Sequence, residues 1–336
     1  MRVMTLIFAF LLLAGYVFAS FERPIIHSTI MLDTNLYSGE NANNGIYNNT
    51  DRFQVRKATL SLEGPISDRV EYFFEFGIST CVGQGDQLKL MEAGLLYELF
   101  EDMHIGIQQG HILYGFATTI GCNSRLSLEK PDFVKTFGTC HPLGFVANYY
   151  RDFGAVGLEI EISLVNGSSG TLNDEKGYNF GFELETPLPG LSLTSVYNLN
   201  EREYYNLNFE EYSKTGHRMI AGLNYLHKGL WLTGEYYSGK GFSRENQKME
   251  AWYGQAGYEF KTGLESLPAV QPFFKYEFWD KDKTNEIQDE VSVIESGVNL
   301  KLSGYSMIKC AYRMSEVSSG KEKIPSVFIL RLQTGF

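Results

Sequence analysis

The last eleven residues, Ser326 to Phe336, constrain the fold more than any other stretch. They read Ser-Val-Phe-Ile-Leu-Arg-Leu-Gln-Thr-Gly-Phe. Phe328, Leu330, Leu332 and Phe336 share one parity. Arg331 and Gln333 share the other, with Ile329 as its apolar exception. A period of two marks a strand with one apolar and one polar face. The stretch ends on an aromatic residue and matches the roughly 9–11 residues that a tilted strand needs to cross a bilayer. A single strand of a soluble sandwich would read the same way, so the rest of the chain decides.

The pattern repeats from end to end. Ser28 to Gly39 and Phe53 to Gly64 alternate. In the next segment Val70, Tyr72, Phe74, Phe76 and Ile78 oppose Arg69, Glu71, Glu75 and Ser79. Leu88 to Phe100 and Met103 to Gly110 follow. Alternation then lapses from His111 to Pro142, and an ordered loop of that length is usually functional. It resumes with Leu158, Ile160 and Ile162 against Glu159 and Glu161, and with Tyr178 to Glu185. Leu191 to Asn198 comes next, then a polar loop expected from Asn200 to Lys214. Strands are expected around Met219 to Tyr225, Leu230 to Ser238, Trp252 to Phe260, Val270 to Phe278, Ser292 to Leu302 and Ser306 to Met314. Long polar connections alternate with very short ones, as in a membrane barrel with long outside loops and short periplasmic turns. Direct reading gives an odd strand count, and termini on one side require an even one. Dividing the segment after the long loop into Leu143–Tyr150 and Ala155–Leu164, with a turn at Arg151-Asp152-Phe153-Gly154, makes about sixteen. The expected fold is therefore all-β: a transmembrane antiparallel β-barrel with a long third extracellular loop. A barrel of that size leaves a water-filled channel.

Residues 1–19 have the form of a secretory signal: basic Arg2, apolar Leu6 to Leu13, and small or medium residues at Val17-Phe18-Ala19. The organisation expected is a signal peptide over 1–19 and one outer-membrane barrel over 20–336. No later run is apolar for the roughly 18 residues of a transmembrane helix. A net charge of −11 argues against nucleic acid as a partner.

A charge facing hydrocarbon costs about 2–4 kcal/mol at midplane, so the polar parity should face the lumen. The basic pore-lining candidates are Lys57, Arg69, Lys275, Lys309, Arg313 and Arg331. The acidic ones are Glu71, Glu75, Glu92, Glu159, Glu161, Glu183, Glu235, Glu259 and Glu277. The long loop carries Arg125, Lys130 and Lys135, which would narrow the pore if it folds inward. It also holds Cys122 and Cys140, a disulfide candidate in an oxidising compartment, with Cys81 as a competing partner.

Several segments resemble the phosphate-selective porin O and P family. They are Phe53-Gln54-Val55-Arg56-Lys57-Ala58-Thr59-Leu60-Ser61-Leu62-Glu63-Gly64, Arg151-Asp152-Phe153-Gly154, Val165-Asn166-Gly167-Ser168 and Ser296-Gly297-Val298-Asn299. Phe336 is similar to the carboxyl-terminal signal read by the barrel assembly machinery. The resemblance implies a sixteen-stranded homotrimer in the bacterial outer membrane, passing small anions or polar solutes, with no cofactor. Its phosphate channels use Arg and Lys ladders, whereas the wall expected here has more Glu than Lys plus Arg.

Three functions compete. The first is a passive diffusion channel, with phosphate or anion preference as its specialised form. The second is a barrel enzyme, but the six His are scattered and neither HExxH nor GxSxG occurs. The third is a sheath that holds a partner, as in an electron conduit. The chain has no CxxCH, so any haem would belong to that partner.

Overall fold

The computed structural model describes residues 24–38, 51–79, 88–137, 141–166, 176–205, 211–241, 247–284, 290–302, 305–318 and 325–335. Of these, the side chains of 38, 135, 201–205 and 211–214 are not described. The expected signal peptide and Phe336 lie outside the described residues.

The first strands are β1 (Ile25–Ser38), β2 (Arg52–Ser67), β3 (Val70–Ser79), β4 (Lys89–Phe100) and β5 (Met103–Gln109). Two single-turn helices follow, α1 (Phe116–Thr119) and α2 (Val134–Phe137). Then come β6 (Leu143–Asp152), β7 (Gly157–Asn166), β8 (Lys176–Glu185), β9 (Leu191–Tyr205), β10 (Glu211–His227) and β11 (Leu230–Lys240). The last are β12 (Lys248–Tyr258), β13 (Phe260–Leu264), β14 (Leu267–Asp280), β15 (Val291–Lys301), β16 (Met307–Val317) and β17 (Ser326–Gly335). β12 and β13 both pair with β14 and run on as one stave broken at Glu259, so the seventeen strands make sixteen staves. Each stave pairs antiparallel with its sequence neighbour. β1 closes the ring on β17, in register from Thr29–Gly335 to Ser38–Ser326.

Closure follows from where the apolar parity points. Hydrocarbon offers no hydrogen bonds, so every backbone group at membrane depth must be paired within the protein, and only a closed sheet does this with strands. Phe74 is 38% exposed and Leu330 39%, on the outside of the wall. A dry soluble core would bury both. Their inward neighbours Ile329, Arg331 and Gln333 are 6%, 1% and 3% exposed. Exposed aromatics mark both ends of the staves: Phe53, Tyr178, Tyr236 and Trp252 towards the long loops, Phe100, Tyr150, Tyr258 and Phe260 towards the short turns. This is the aromatic girdle of a bilayer-spanning barrel.

The short turns are tight. Between β10 and β11, Lys228 and Gly229 both take positive φ, 49° and 86°. Those values suit a two-residue turn whose twist matches the flanking strands. Two expectations are corrected here. Most of the stretch expected as a loop from Asn200 to Lys214 is ladder: β9 runs to Tyr205, β10 starts at Glu211, and the two pair from Glu211–Tyr205 onward. Pairing continues there without an apolar face, so alternation carries no signal of it. Arg69, expected on the polar face of β3, instead sits exposed in the β2–β3 turn, where its carbonyl accepts the Glu98 N–H at 2.8 Å.

Substituting Leu330→Arg is expected to destabilise the barrel by about 2–4 kcal/mol. Denaturant titration of protein refolded into lipid vesicles measures it; an unchanged midpoint would place Leu330 away from hydrocarbon.

Candidate functional site

The third outside connection, between β5 and β6, folds into the barrel. Its apolar residues have left water almost completely: Leu126, Phe133, Val134 and Phe137 are 0% exposed. One half packs Ile112, Tyr114, Ala117, Phe133, Val134 and Phe137 against Val196 of β9, Ile220 of β10, Tyr237 of β11 and Tyr253 of β12. The other half packs Leu126 and Leu128 against Phe273 of β14, Ala311 of β16 and Ile329 of β17. Ile329, the apolar exception in the last strand, is therefore a docking point for the loop.

A buried loop has no ladder to satisfy its peptide groups, so each needs another partner. The wall supplies charged ones. Carboxylates take the N–H groups. Glu161 accepts from Leu113 at 3.1 Å, Glu235 from Phe116 at 2.6 Å and Ala117 at 2.8 Å, Glu277 from Asp132 at 2.9 Å and Glu295 from Leu128 at 2.7 Å. Cations take the carbonyls. Lys275 Nζ donates to Glu129 O at 2.8 Å, Lys309 Nζ to Arg125 O at 2.6 Å and Arg331 Nη1 to Leu128 O at 2.7 Å. Asn179, Asn299 and Gln333 reach the carbonyls of Leu113, Leu126 and Asn123 at 2.8–3.1 Å. At Gly115, φ is 85° and a Cβ would strike the Glu235 carboxylate, so glycine is required where the loop meets β11.

These contacts relocate the expected pore-lining cations. Lys275 and Lys309 are 0% exposed and Arg331 is 1% exposed, so they are loop clamps and not wetted wall. Lys275 also bridges Glu277 at 2.7 Å and Glu295 at 2.9 Å. Arg331 forks onto Asp33 at 2.7 and 2.8 Å and reaches Glu129 Oε1 at 2.8 Å. Arg313 bridges Asp132 at 2.6 Å. Lys57 alone of the set keeps partial exposure within a strand, paired with Glu75 at 3.0 Å. In the loop, Arg125 turns inward onto Ile120 O at 3.0 Å, Lys130 is buried, and the side chain of Lys135 lies outside the described residues. Cys122 is contacted by Arg125 Nη1 at 3.8 Å; Cys140 and Cys81 lie outside the described residues.

Glu129, which the sequence does not single out, is the hub. It meets Arg331 and also Arg56, whose guanidinium caps its second oxygen. Burial would raise this carboxyl, but Arg56, Arg331 and Arg313 overcome it and hold the group well below the usual carboxylate range. At the neck of the loop, burial and the adjacent His141 imidazole lower His111 to about 4.

Two cavities flank the loop. One, of about 250 Å³, faces the long-loop end and is lined by Arg52, Arg56 and Arg313 against Glu129 and Asp132. The other, of about 460 Å³, lies between the loop and β3–β8. It is lined by Glu71, Glu159, Glu161 and Glu183, with His104, Gln108 and Asn148, and no Lys or Arg is among its described lining residues.

A closed sixteen-stave barrel, apolar outside and narrowed by its own third loop, is the architecture of an outer-membrane porin. No family model matches the chain, and no curated protein is similar to it in sequence. Solved structures share the fold. The chain is similar to OmpF of Salmonella typhi in complex with daunomycin, with a TM-score of 0.63 at 14% identity, over 93% of this chain and 97% of that one. It is similar to the anion-selective porin from Comamonas acidovorans, with a TM-score of 0.62 at 11% identity, over 94% and 99%. It is also similar to the trimer form of the outer membrane protein OmpT of Vibrio cholerae, with a TM-score of 0.62 at 7% identity, over 94% and 99%.

The folded Glu129 value lies below the unfolded one of about 4.3. Its contribution to loop anchoring is thus complete above that pH and is lost as pH falls below it towards the folded value. Glu129→Gln removes the charge at neutral pH. A hydrogen bond to a charged group is worth about 1.5–3 kcal/mol, so amide protection in residues 126–130 should fall about 10–100-fold while the strands keep theirs. Hydrogen exchange by mass spectrometry checks this; unchanged loop protection would show that Glu129 is not an anchor.

Proposed function

We propose that the protein is a passive diffusion channel of a bacterial outer membrane, admitting small polar solutes and ions. The observation that carries this reading is a water-accessible cavity beside an inward loop inside a closed, outwardly apolar barrel. The loop occupies lumen that a threaded protein partner would need, which favours a channel over a sheath. Phe336 serves as the assembly signal for the barrel machinery. The functional unit is a homotrimer, as in the trimer form of the similar Vibrio cholerae protein.

Ion preference follows the charges left in contact with water. The resemblance to phosphate-selective porins points to anions. Yet Lys275, Lys309 and Arg331 are spent on the loop, whereas of the larger cavity's four glutamates only Glu161 is, which leaves Glu71, Glu159 and Glu183. A passage lined by one sign of charge, with low-dielectric walls, raises the local concentration of the opposite sign. The reading that the geometry supports is therefore a general porin leaning towards cations, with no phosphate specialisation.

In planar bilayers the purified protein is expected to give open-channel steps, with a cation-favouring reversal potential in a salt gradient. Glu159→Gln with Glu183→Gln should move that potential towards zero. Absence of steps would end the channel reading. An anion-favouring potential in the unmodified protein would restore the phosphate alternative.

A further inference from the structure

Three side chains that the permeation pathway does not need converge at the neck of the inward loop. Glu92 projects from β4. His111 begins the loop just after β5, and His141 ends it just before β6. One ligand atom from each lies within 4.8 Å of the other two. Both imidazoles turn Nε2 towards the same carboxylate oxygen: Glu92 Oε1 is 3.0 Å from His141 Nε2 and 3.4 Å from His111 Nε2. The ring centroids are 4.4 Å apart, tilted at 55°.

The spacing is close to that of a coordination shell. Metal–ligand bonds of 2.0–2.2 Å at a tetrahedral angle put neighbouring ligand atoms roughly 3.3–3.6 Å apart. The Glu92 oxygen can accept from both imidazoles, but hydrogen bonding to it does not by itself hold the two rings against each other. Without metal an Nε2–H donates to the Glu92 carboxylate, which only accepts; neither Nδ1 has a hydrogen-bond partner among the described residues, so the proton can sit on Nδ1 when Nε2 takes a metal. Lys57, a cation on β2 two staves from Glu92, is engaged by Glu75 at 3.0 Å. The site has a rigid side and a wet side: the His141 side chain is 8% exposed, and that of His111 is 34% exposed and lines the larger cavity. Two imidazoles and one carboxylate suit borderline transition metals over calcium or magnesium, which prefer oxygen ligands.

We propose that Glu92, His111 and His141 form a binding site for a divalent first-row transition-metal ion of the zinc type, with water completing the shell from the cavity. Bound there, the ion joins both ends of the third loop to β4. It closes the neck of the loop without entering the clamp around Glu129. Lumen geometry thereby responds to external metal.

The test uses the full barrel in detergent. Co²⁺ titration followed by visible absorption should give one d–d spectrum per chain, displaced by Zn²⁺ and abolished by chelator. His141→Gln and His111→Gln should each weaken binding by roughly 10–100-fold or more. His104→Gln, which alters another histidine of the same cavity, should leave it unchanged. Heat-modifiable mobility on gels confirms that each variant is a folded barrel. In the unmodified protein Zn²⁺ should also slow amide exchange over residues 112–137. No Co²⁺ spectrum at millimolar metal, or equal loss on substituting His104 and His141, would overturn the proposal. A Zn²⁺ effect on exchange that persists in His141→Gln would overturn the loop-joining role.

Discussion

Peptide N–H and C=O groups at membrane depth and in the packed lumen have to find partners where water is scarce, and both main features of the protein answer that demand. In the membrane the answer is closure. β1 meets β17 over ten residue pairs, and the ring has no free edge. In the lumen the answer is the wall itself. A stretch with two helical turns among its described residues cannot satisfy its whole backbone, so glutamates from β7, β11, β14 and β15 take N–H groups, while lysines and arginine from β14, β16 and β17 take carbonyls.

That arrangement governs the electrostatics of the pore. Buried charges are tolerated only when paired and hydrogen-bonded. Lys275 sits between Glu277 and Glu295, and Arg331 between Asp33 and Glu129. Each such group is removed from contact with solute. Lys275, Lys309 and Arg331 are taken up where the loop docks, together with Glu161, Glu235, Glu277 and Glu295, while Glu71, Glu159 and Glu183 on β3, β7 and β8 line the larger cavity. Counting the charges of the polar parity, as though all of them faced the channel, therefore misjudges its sign. The fold places them on the inside; the loop then decides which of them a solute meets.

Individual residues show where the sequence is transparent and where it is not. Phe74, Ile162 and Leu330 follow their parity outward, and Glu161, Arg331 and Gln333 follow theirs inward, because a pleated strand offers only two directions. The division of the segment after the long loop into two strands is likewise matched by β6 and β7, with a turn near Phe153. Glu129 and Glu295 gave no such signal. Glu129 lies in a stretch without periodicity, and its partners are on β2 and β17, separated from it by 73 and 202 positions. Ile329 is an irregularity in the alternation, and Leu126 and Leu128, which share its buried cluster, account for it.

Alternation at period two, interrupted by connections of two sharply different lengths, was enough to determine the barrel, its stave number and the face that meets lipid. Those properties depend on side-chain direction within one strand and on turn length, both local. Tertiary structure alone decided that the third loop enters the lumen, which charges anchor it, and which stay wet. It also decided that Glu92, His111 and His141 meet at one point. Contacts of that kind depend on which staves stand opposite each other across a closed ring, and no short window of sequence contains that information.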